Sequence, residues 1–399
     1  MTVTAKTINH KAIRSENRKK ILQLVQKERE LTIQEISREL DISVPTVTRV
    51  IEQLEEEGLA QNAGVSESIA GRRPKVIRFA PDAYYTVGVE FADESVRLAL
   101  TNLDSAIVAE AAIARPNYHE LDGVMQAVRQ ETDAMLQAHS IAPARMLGIG
   151  FSLPGLVDER HLLLKIAPNF GIRQVDFAQY QRVFGFPIFI ENEANAAAIA
   201  ELRLGVAKEM RNLVHVSVLP QGIGAGIIIG GELYRGKNKR AGEYGHTCIV
   251  PRGLLCSCGR FGCWERYASA NVLLTSYAEQ TGAALRDLPE FFARMRERDA
   301  AAVAVFDTFT DFLALGIQNI LLAHDPHYIV IGGVISPFRD DIFEPLRQKI
   351  FVENTFYAPQ DVNIRWTMLK ENASMLGASL LPVERVFSDP VTPPRDSDA

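Results

Sequence analysis

The chain has 399 residues, 47% of them hydrophobic and 23% charged, with a formal net charge of -6. That length exceeds what one core organises, so two or three domains are expected, and the composition is that of a globular protein rather than a disordered or fibrous one. The net negative charge argues against nonspecific polyanion binding by the whole molecule, and no uncharged apolar run approaches the roughly 18 residues that span a bilayer, so a cytoplasmic location is expected.

Charge is unevenly placed: residues 1–82 carry 14 Lys and Arg against 12 Asp and Glu, which permits a nucleic-acid module at the start and a neutral-ligand module after it. A first helix contains Ile21, Leu22 and Val25. From Thr32, the run TIQEISREL offers a capping box of Thr32 and Glu35 over an apolar face of Ile36 and Leu40. A break at 41–43 leads to a helix capped by Ser43, with Pro45 in its first turn, apolar Val47, Val50, Ile51 and Leu54, and Gly58 as its stop. Two short helices so joined read as a helix-turn-helix, whose second helix would present Ser43, Thr46, Thr48 and Arg49 to phosphates and base edges. Glu52, Glu55, Glu56 and Glu57 must then face away from DNA; they also fit a plain helical hairpin with a solvated face. The stretch AGRRPKVIRF, with Arg72, Arg73, Lys75 and Arg78, reads as a DNA-contacting wing or a solvated linker.

Beyond Tyr84, strands alternate with helices. YYTVGVEF and SVRLALTNL suggest a hairpin, 120–139 a helix, RMLGIGFSLPG a strand ending in a tight turn, and FPIFIENEANAAAIAELRLG a strand running into a helix. LVHVSVLPQGIGAGIIIGGEL is a strand pair with a glycine turn, and HYIVIGGVIS a further strand. The pattern predicts an α/β module, in two lobes, with a disordered tail from 388 to 399. Asn169, Asn192, Glu193 and Asn195 fall where strands end, the usual place for ligand crevices. A cluster of Asn, Glu and His suits a polyhydroxylated neutral ligand, because each desolvated hydroxyl needs a partner; any one of these residues alone fits a helix cap.

Between 242 and 265 the chain reads GEYGHTCIVPRGLLCSCGRFGCWE, placing His246, Cys256, Cys258 and Cys263 within 18 residues, with Glu243 and Glu265 beside them. Three thiolates and an imidazole form a closed zinc set, structural rather than catalytic because no coordination position stays open. Ordinary buried thiols or a redox pair are the other readings. Cys248, the fourth cysteine, reads as a packed residue.

The zinc segment, ENEAN and IGFSLPGLVD together resemble the ROK family of bacterial sugar kinases and sugar-responsive repressors. The resemblance covers roughly 84–380, and the preceding helix-turn-helix extends it toward the xylose- and N-acetylglucosamine-type repressor branch. It implies a two-lobed, actin/hexokinase-like fold, zinc on His246, Cys256, Cys258 and Cys263, and a sugar pocket of Asn169, Asn192, Glu193, Glu243, His246 and Glu265. His246 would then use its two ring nitrogens for metal and sugar.

Against the family's kinases the sequence departs at several points. Glu90 keeps a carboxylate on the first strand, but Phe91, Ala92, Asp93 and Glu94 replace the compact Gly-Gly-Thr turn; GIGAG remains at Gly222–Gly226 while Pro220 and Gln221 precede it; IGGV at Ile331–Val334 lacks one family glycine; and Glu193 stands where the kinases have a catalytic aspartate. The expectation is a regulator rather than an enzyme, with no catalytic residue. Its anticipated division is a winged helix-turn-helix at 1–70, a basic wing or linker at 71–83 and a ROK-like module at 84–387. Expected partners are operator DNA and a sugar or sugar derivative, on a homodimer or dimer of dimers, away from the membrane. A sugar kinase with a DNA-binding head is the main alternative; a sensor of zinc or of a partner protein is another.

Overall fold

The computed structural model describes residues 3–65, 75–208, 210–352 and 356–388. Arg72, Arg73 and residues 389–399 lie outside the described residues.

The N-terminal domain comprises α1 (Val3–Glu28), β1 (Glu30–Thr32), α2 (Ile33–Leu40), α3 (Val44–Glu56), β2 (Ala60–Val65) and β3 (Lys75–Phe79). Thr32 and Glu35 form the reciprocal capping box that starts α2, and Asp41 ends it in the left-handed region. Ile36, Val47, Val50, Ile51 and Leu54 bury one face of the helix pair against Ile21, Leu22 and Val25. The strands form an antiparallel sheet in the order β1-β3-β2 beside the helices, the winged form of the motif. Part of the basic stretch at 71–83 is therefore a strand of this sheet.

The first lobe carries β4 (Tyr85–Phe91), β5 (Ser95–Asn102), β6 (Ile107–Ala114), α4 (Leu121–Ala138), β7 (Met146–Leu153), β8 (Leu156–Asp158), β9 (Leu163–Ala167), β10 (Ile172–Asp176), α5 (Gln181–Phe184), β11 (Ile188–Asn192) and α6 (Glu193–Arg203). Its main sheet has the order β11-β7-β4-β5-β6, parallel between β11, β7 and β4 and antiparallel beyond. The second lobe carries β12 (Leu213–Val218), β13 (Ile223–Ile229), β14 (Glu232–Leu233), α7 (Glu265–Ala268), α8 (Asn271–Thr281), α9 (Leu288–Arg296), α10 (Ala300–His324), β15 (Tyr328–Gly333), α11 (Arg339–Ile350) and β16 (Asn363–Trp366), with the sheet order β14-β13-β12-β15-β16. The last helix, α12 (Ala373–Ser388), returns to the first lobe, where Gly88 and Gly150 let its backbone lie directly on β4 and β7.

Each lobe has its own core. By length and composition α10 could cross a membrane, but Phe309, Leu313, Ile317 and Ile320 are buried in the second lobe's core. The parallel strands of both lobes end toward a common cleft, as expected of open α/β sheets.

Candidate functional site

The cleft measures about 550 Å³ and is lined from both lobes. The turn after β4 (90–95), the β7 turn at Pro154 and Gly155, and the β11–α6 junction close one side. Leu219–Ile223, Gly242, Glu243, His246 and Glu265 close the other. All six residues expected to bind a sugar, Asn169, Asn192, Glu193, Glu243, His246 and Glu265, line this one space, although they are spread over nearly one hundred residues of chain.

Asn192 has two tasks. Its Oδ1 accepts from the backbone N–H of Ala194 at 3.0 Å and of Asn195 at 3.1 Å, capping α6, while its Nδ2 donates to Glu193 Oε2 at 2.6 Å and to Gly155 O at 3.0 Å. The cap thereby aims Glu193, the first residue of α6, into the cleft. Burial, with the carboxylates of Glu243, Glu90 and Glu265 adding to it, pushes Glu193 up to about 8 despite an opposing backbone hydrogen bond. In its protonated form this carboxyl can donate a hydrogen bond to a ligand. Burial also raises Glu243, reinforced by Glu265 and opposed by His246.

Behind this front Glu191, Asn195 and Arg235 form a supporting layer. Asn195 Nδ2 donates to Glu191 Oε1 at 3.0 Å, and Arg235 pairs with Glu191 Oε2 at 2.6 Å. The buried Oδ1 of Asn195 has no hydrogen-bond partner among the described residues. Nothing local in the sequence signals Arg235, 44 residues from Glu191; only the sheet topology brings it there.

The 243–265 segment folds as a loop stitched to itself. The backbone of Cys248 pairs antiparallel with that of Cys263, and that of Leu255 with Phe261, and Gly259 and Gly262 adopt left-handed conformations that close its turns. Buried Trp264 anchors it, its Nε1 donating to Phe312 O of α10 at 2.8 Å. The donor atoms of His246, Cys256, Cys258 and Cys263 all lie within 4.8 Å of one another. His246 Nδ1 is 3.5 Å from Cys256 Sγ, and Cys258 Sγ is 3.7 Å from Cys263 Sγ. A tetrahedron with bonds of about 2.3 Å has edges near 3.8 Å, so this donor set fits a metal ion. The other ring nitrogen, Nε2, faces Glu243 Oε2 at 3.9 Å, while Cys256 Sγ donates to Glu265 Oε1 at 3.0 Å. Metal cluster and cleft thus share a wall. Cys248 is exposed and outside the cluster, so the expectation that it is packed away is corrected.

The glycines of GIGAG have a packing role. A Cβ on Gly224 would lie 2.8 Å from Ala194 Cβ, and one on Gly226 2.3 Å from Ala194 O, so β13 is bare in order to seat α6. Glu90 does not stand free in the cleft: Arg97 Nε donates to its Oε2 at 2.7 Å and the Ser374 hydroxyl to its Oε1. Arg97 also bonds Asn372 and the Glu371 carbonyl, tying the β4–β5 hairpin to the start of α12.

On the winged domain, Ser43 and Arg49 are exposed and Thr46 and Thr48 half-buried at the front of α3. Ser43 occupies the N-cap position, but its hydroxyl pairs with that of Thr46 at 3.0 Å instead of capping a backbone N–H. Thr48 turns its hydroxyl back to Val44 O at 2.9 Å, and Lys75 pairs with Glu55 at 2.7 Å. Glu57 departs from the expected solvated acidic face: it is buried against Arg18 at 2.5 Å, and its carbonyl accepts from Tyr84.

Comparison with known proteins agrees with this anatomy. Residues 86–385 match the ROK family model, and residues 14–61 match winged helix-turn-helix DNA-binding domains. The xylose repressor of Bacillus spizizenii is 29% identical over 378 residues, covering 93% of this chain and 96% of that protein. A ROK family transcriptional regulator of known structure, a homologue of the E. coli MLC protein, shares the fold with a TM-score of 0.81 at 23% identity, over 94% of this chain and 97% of that one. A ROK family glucokinase from Streptomyces griseus, solved with glucose and AMPPNP, matches with a TM-score of 0.64 at 26% identity, over 74% of this chain and 98% of that one. The chain belongs to the ROK family and carries a winged helix-turn-helix domain at its N-terminus.

Proposed function

We propose that the protein is a sugar-responsive transcriptional repressor whose cleft binds a sugar or sugar derivative and whose winged domain binds operator DNA. The observation that carries this reading is the convergence of Asn169, Asn192, Glu193, Glu243, His246 and Glu265 on one cleft in a chain that also bears a winged helix. Carboxylates accept from sugar hydroxyls, protonated Glu193 donates, and the support behind them keeps these groups from collapsing onto one another. His246, Cys256, Cys258 and Cys263 hold a zinc ion that fixes the loop bearing Glu243 and Glu265.

Control of DNA binding needs a ligand that favours one of two arrangements. Closure of the lobes would shift α6, and α12 packs on α6, on the first sheet and, through Val383 and Val386, on the core of the winged domain. A homodimer reads a two-fold operator, because one recognition helix spans too few base pairs. Arg49, Ser43 and Thr46 face the DNA; Lys75, Arg72 and Arg73 contribute phosphate contacts.

No phosphoryl transfer is assigned. The turn at 91–94 lacks glycine, Glu90 is engaged by Arg97 and Ser374, and Gly224 and Gly226 serve packing. The likeness to a glucokinase keeps a second reading in play, a sugar kinase with a DNA-binding head. A gel shift on DNA upstream of the chain's own and neighbouring genes, titrated with a panel of sugars, tests the regulator. Sequence-independent binding at every salt concentration would remove it, and sugar-dependent ADP formation at about 1 per second or faster would establish the kinase.

A further inference from the structure

The cleft exceeds what its polar end can hold. A Cβ on Gly222 would lie 3.4 Å from Glu265 Oε2 and 3.8 Å from Asn169 Nδ2, so these side chains crowd one turn at that end. A hexose has about a dozen heavy atoms; even at the roughly 30 Å³ that a whole water molecule takes in the liquid, an upper bound for bonded atoms, it fills about 360 Å³. About a third of the 550 Å³ is left even at that bound; at about half of it, closer to what bonded atoms share, a ring fills about 180 Å³ and a second ring fits beside the first. Besides the polar end, the cleft is lined by the 90–95 turn and by Pro220, Gln221, Val334 and Glu371.

Polyphosphate does not suit this space. The backbone N–H of Ala92 is taken by Ser95 O at 3.0 Å and that of Leu219 by Gly222 O at 2.9 Å, while Asp93 and Glu94 put carboxylates beside it. What it offers instead is an aromatic surface. Phe170, half-buried and next to Asn169, lines the cleft and packs edge-on against Tyr118 with ring centroids 4.7 Å apart. Tyr118 lies 5.4 Å from the Phe91 ring, and its hydroxyl donates to Ala92 O at 2.5 Å. The stack fixes Phe170 between the polar end and the turn. A sugar ring presents hydroxyls at its rim and C–H groups on its face, so it needs an apolar floor with polar groups around it; Phe170, with Asp93 and Gln221 lining the same cleft, supplies both.

Resting on the sugar reading above, we propose that the ligand is a disaccharide or a glycoside of similar size, its first ring among Asn169, Glu193, Glu243, His246 and Glu265 and its second over Phe170 toward the 92–95 turn. The test is calorimetry on the full chain with glucose and xylose, with cellobiose, maltose and xylobiose, and with Mg·AMPPNP in the presence of each sugar. The expected result is that a disaccharide binds about tenfold or more tighter than its own monosaccharide, and that Phe170→Ala weakens the disaccharide about tenfold more than the monosaccharide. A monosaccharide that binds as tightly as its disaccharide overturns the inference. So does a Phe170→Ala variant that weakens both alike, as a purely structural role would. Nucleotide uptake beside a bound sugar assigns the remainder to a phosphoryl donor and also overturns it. Failure of every carbohydrate to bind, with thermal unfolding unchanged, sinks the sugar-site reading itself, a result none of the other outcomes produces.

Discussion

Gly377 of α12 faces the Ala196 carbonyl of α6 so closely that a Cβ there would lie 1.8 Å from the oxygen. The contact joins the helix that begins at Asn192 and Glu193 to the helix whose far end, at Val383 and Val386, is buried with Ile21, Leu22 and Val25 of the winged domain. Two packed helices therefore run from the cleft to the DNA-binding domain. Gly377→Ala must push them apart and is expected to cost about 1 to 3 kcal/mol in stability. It should also reduce the sugar-dependent change in operator affinity by more than it reduces sugar affinity. Thermal unfolding, calorimetry and gel shifts with and without ligand measure the three quantities; an unchanged response to sugar would show that this contact does not carry the coupling.

The front of α3 makes a graded prediction about DNA. Arg49→Ala is expected to weaken specific operator binding by about 1 to 3 kcal/mol if the guanidinium reads a base. Thr48→Ala should matter less, because the Thr48 hydroxyl is already committed to Val44 O. Lys75→Ala should lower affinity by about 1 kcal/mol or less and equally for all sequences, since Lys75 is neutralised in part by Glu55. Titrations on operator and unrelated DNA at two salt concentrations distinguish the cases, and an Arg49→Ala variant that binds operator as well as wild type would remove Arg49 from the readout.

Much of this anatomy is legible in the sequence because it is local. The Thr32–Glu35 capping box, the 3.6-residue spacing of Val47, Val50, Ile51 and Leu54, and the hairpin of YYTVGVEF with SVRLALTNL are each written within one short stretch of chain, and the structure follows them. The metal cluster is legible for the same reason, its four donors lying within 18 residues. Contacts that topology creates are not legible. Glu57 lies in a run of glutamates that reads as a solvated face, and only the return of α1 supplies Arg18. Gly224 reads as part of a phosphate loop until α6 is laid across it, and Arg97, Ser374 and Arg235 come to the cleft's carboxylates from 7, 284 and 44 residues away. Phe170 resembles any core aromatic until the lobes enclose it.

Glu193 gives stability a pH dependence whose sign follows from its environment. Its folded value near 8 lies above its ordinary 4.5, so between these values the unfolded chain releases a proton that the folded chain keeps. Stability from this group is fully present below about pH 4.5 and is lost as pH rises toward 8. Glu193→Gln, which is neutral throughout, should therefore lose less stability than wild type between about pH 5 and 8, by one to a few kcal/mol given that the side chain reaches the cleft. Thermal unfolding of both proteins across that range is the measurement. Parallel curves would mean that Glu193 is ionised in the folded protein at neutral pH.

Removing metal should disturb sugar binding through Glu265. Cys256 Sγ lies 3.0 Å from Glu265 Oε1, so a metal ion bound to the Cys256 thiolate would fix this sulfur against a carboxylate that lines the cleft. The same ion would hold His246, whose Nε2 faces Glu243. Chelation, or Cys258→Ser, is therefore expected to lower the unfolding temperature and to weaken sugar binding about ten- to a hundredfold, the usual effect of disturbing groups that support a site. Cys248→Ser supplies the contrast, because Cys248 is exposed and outside the cluster and should change neither metal content nor affinity. Metal analysis alongside calorimetry reads both. A metal-depleted protein that remains folded and binds sugar as tightly as before would show that the cluster supports the loop without shaping the cleft.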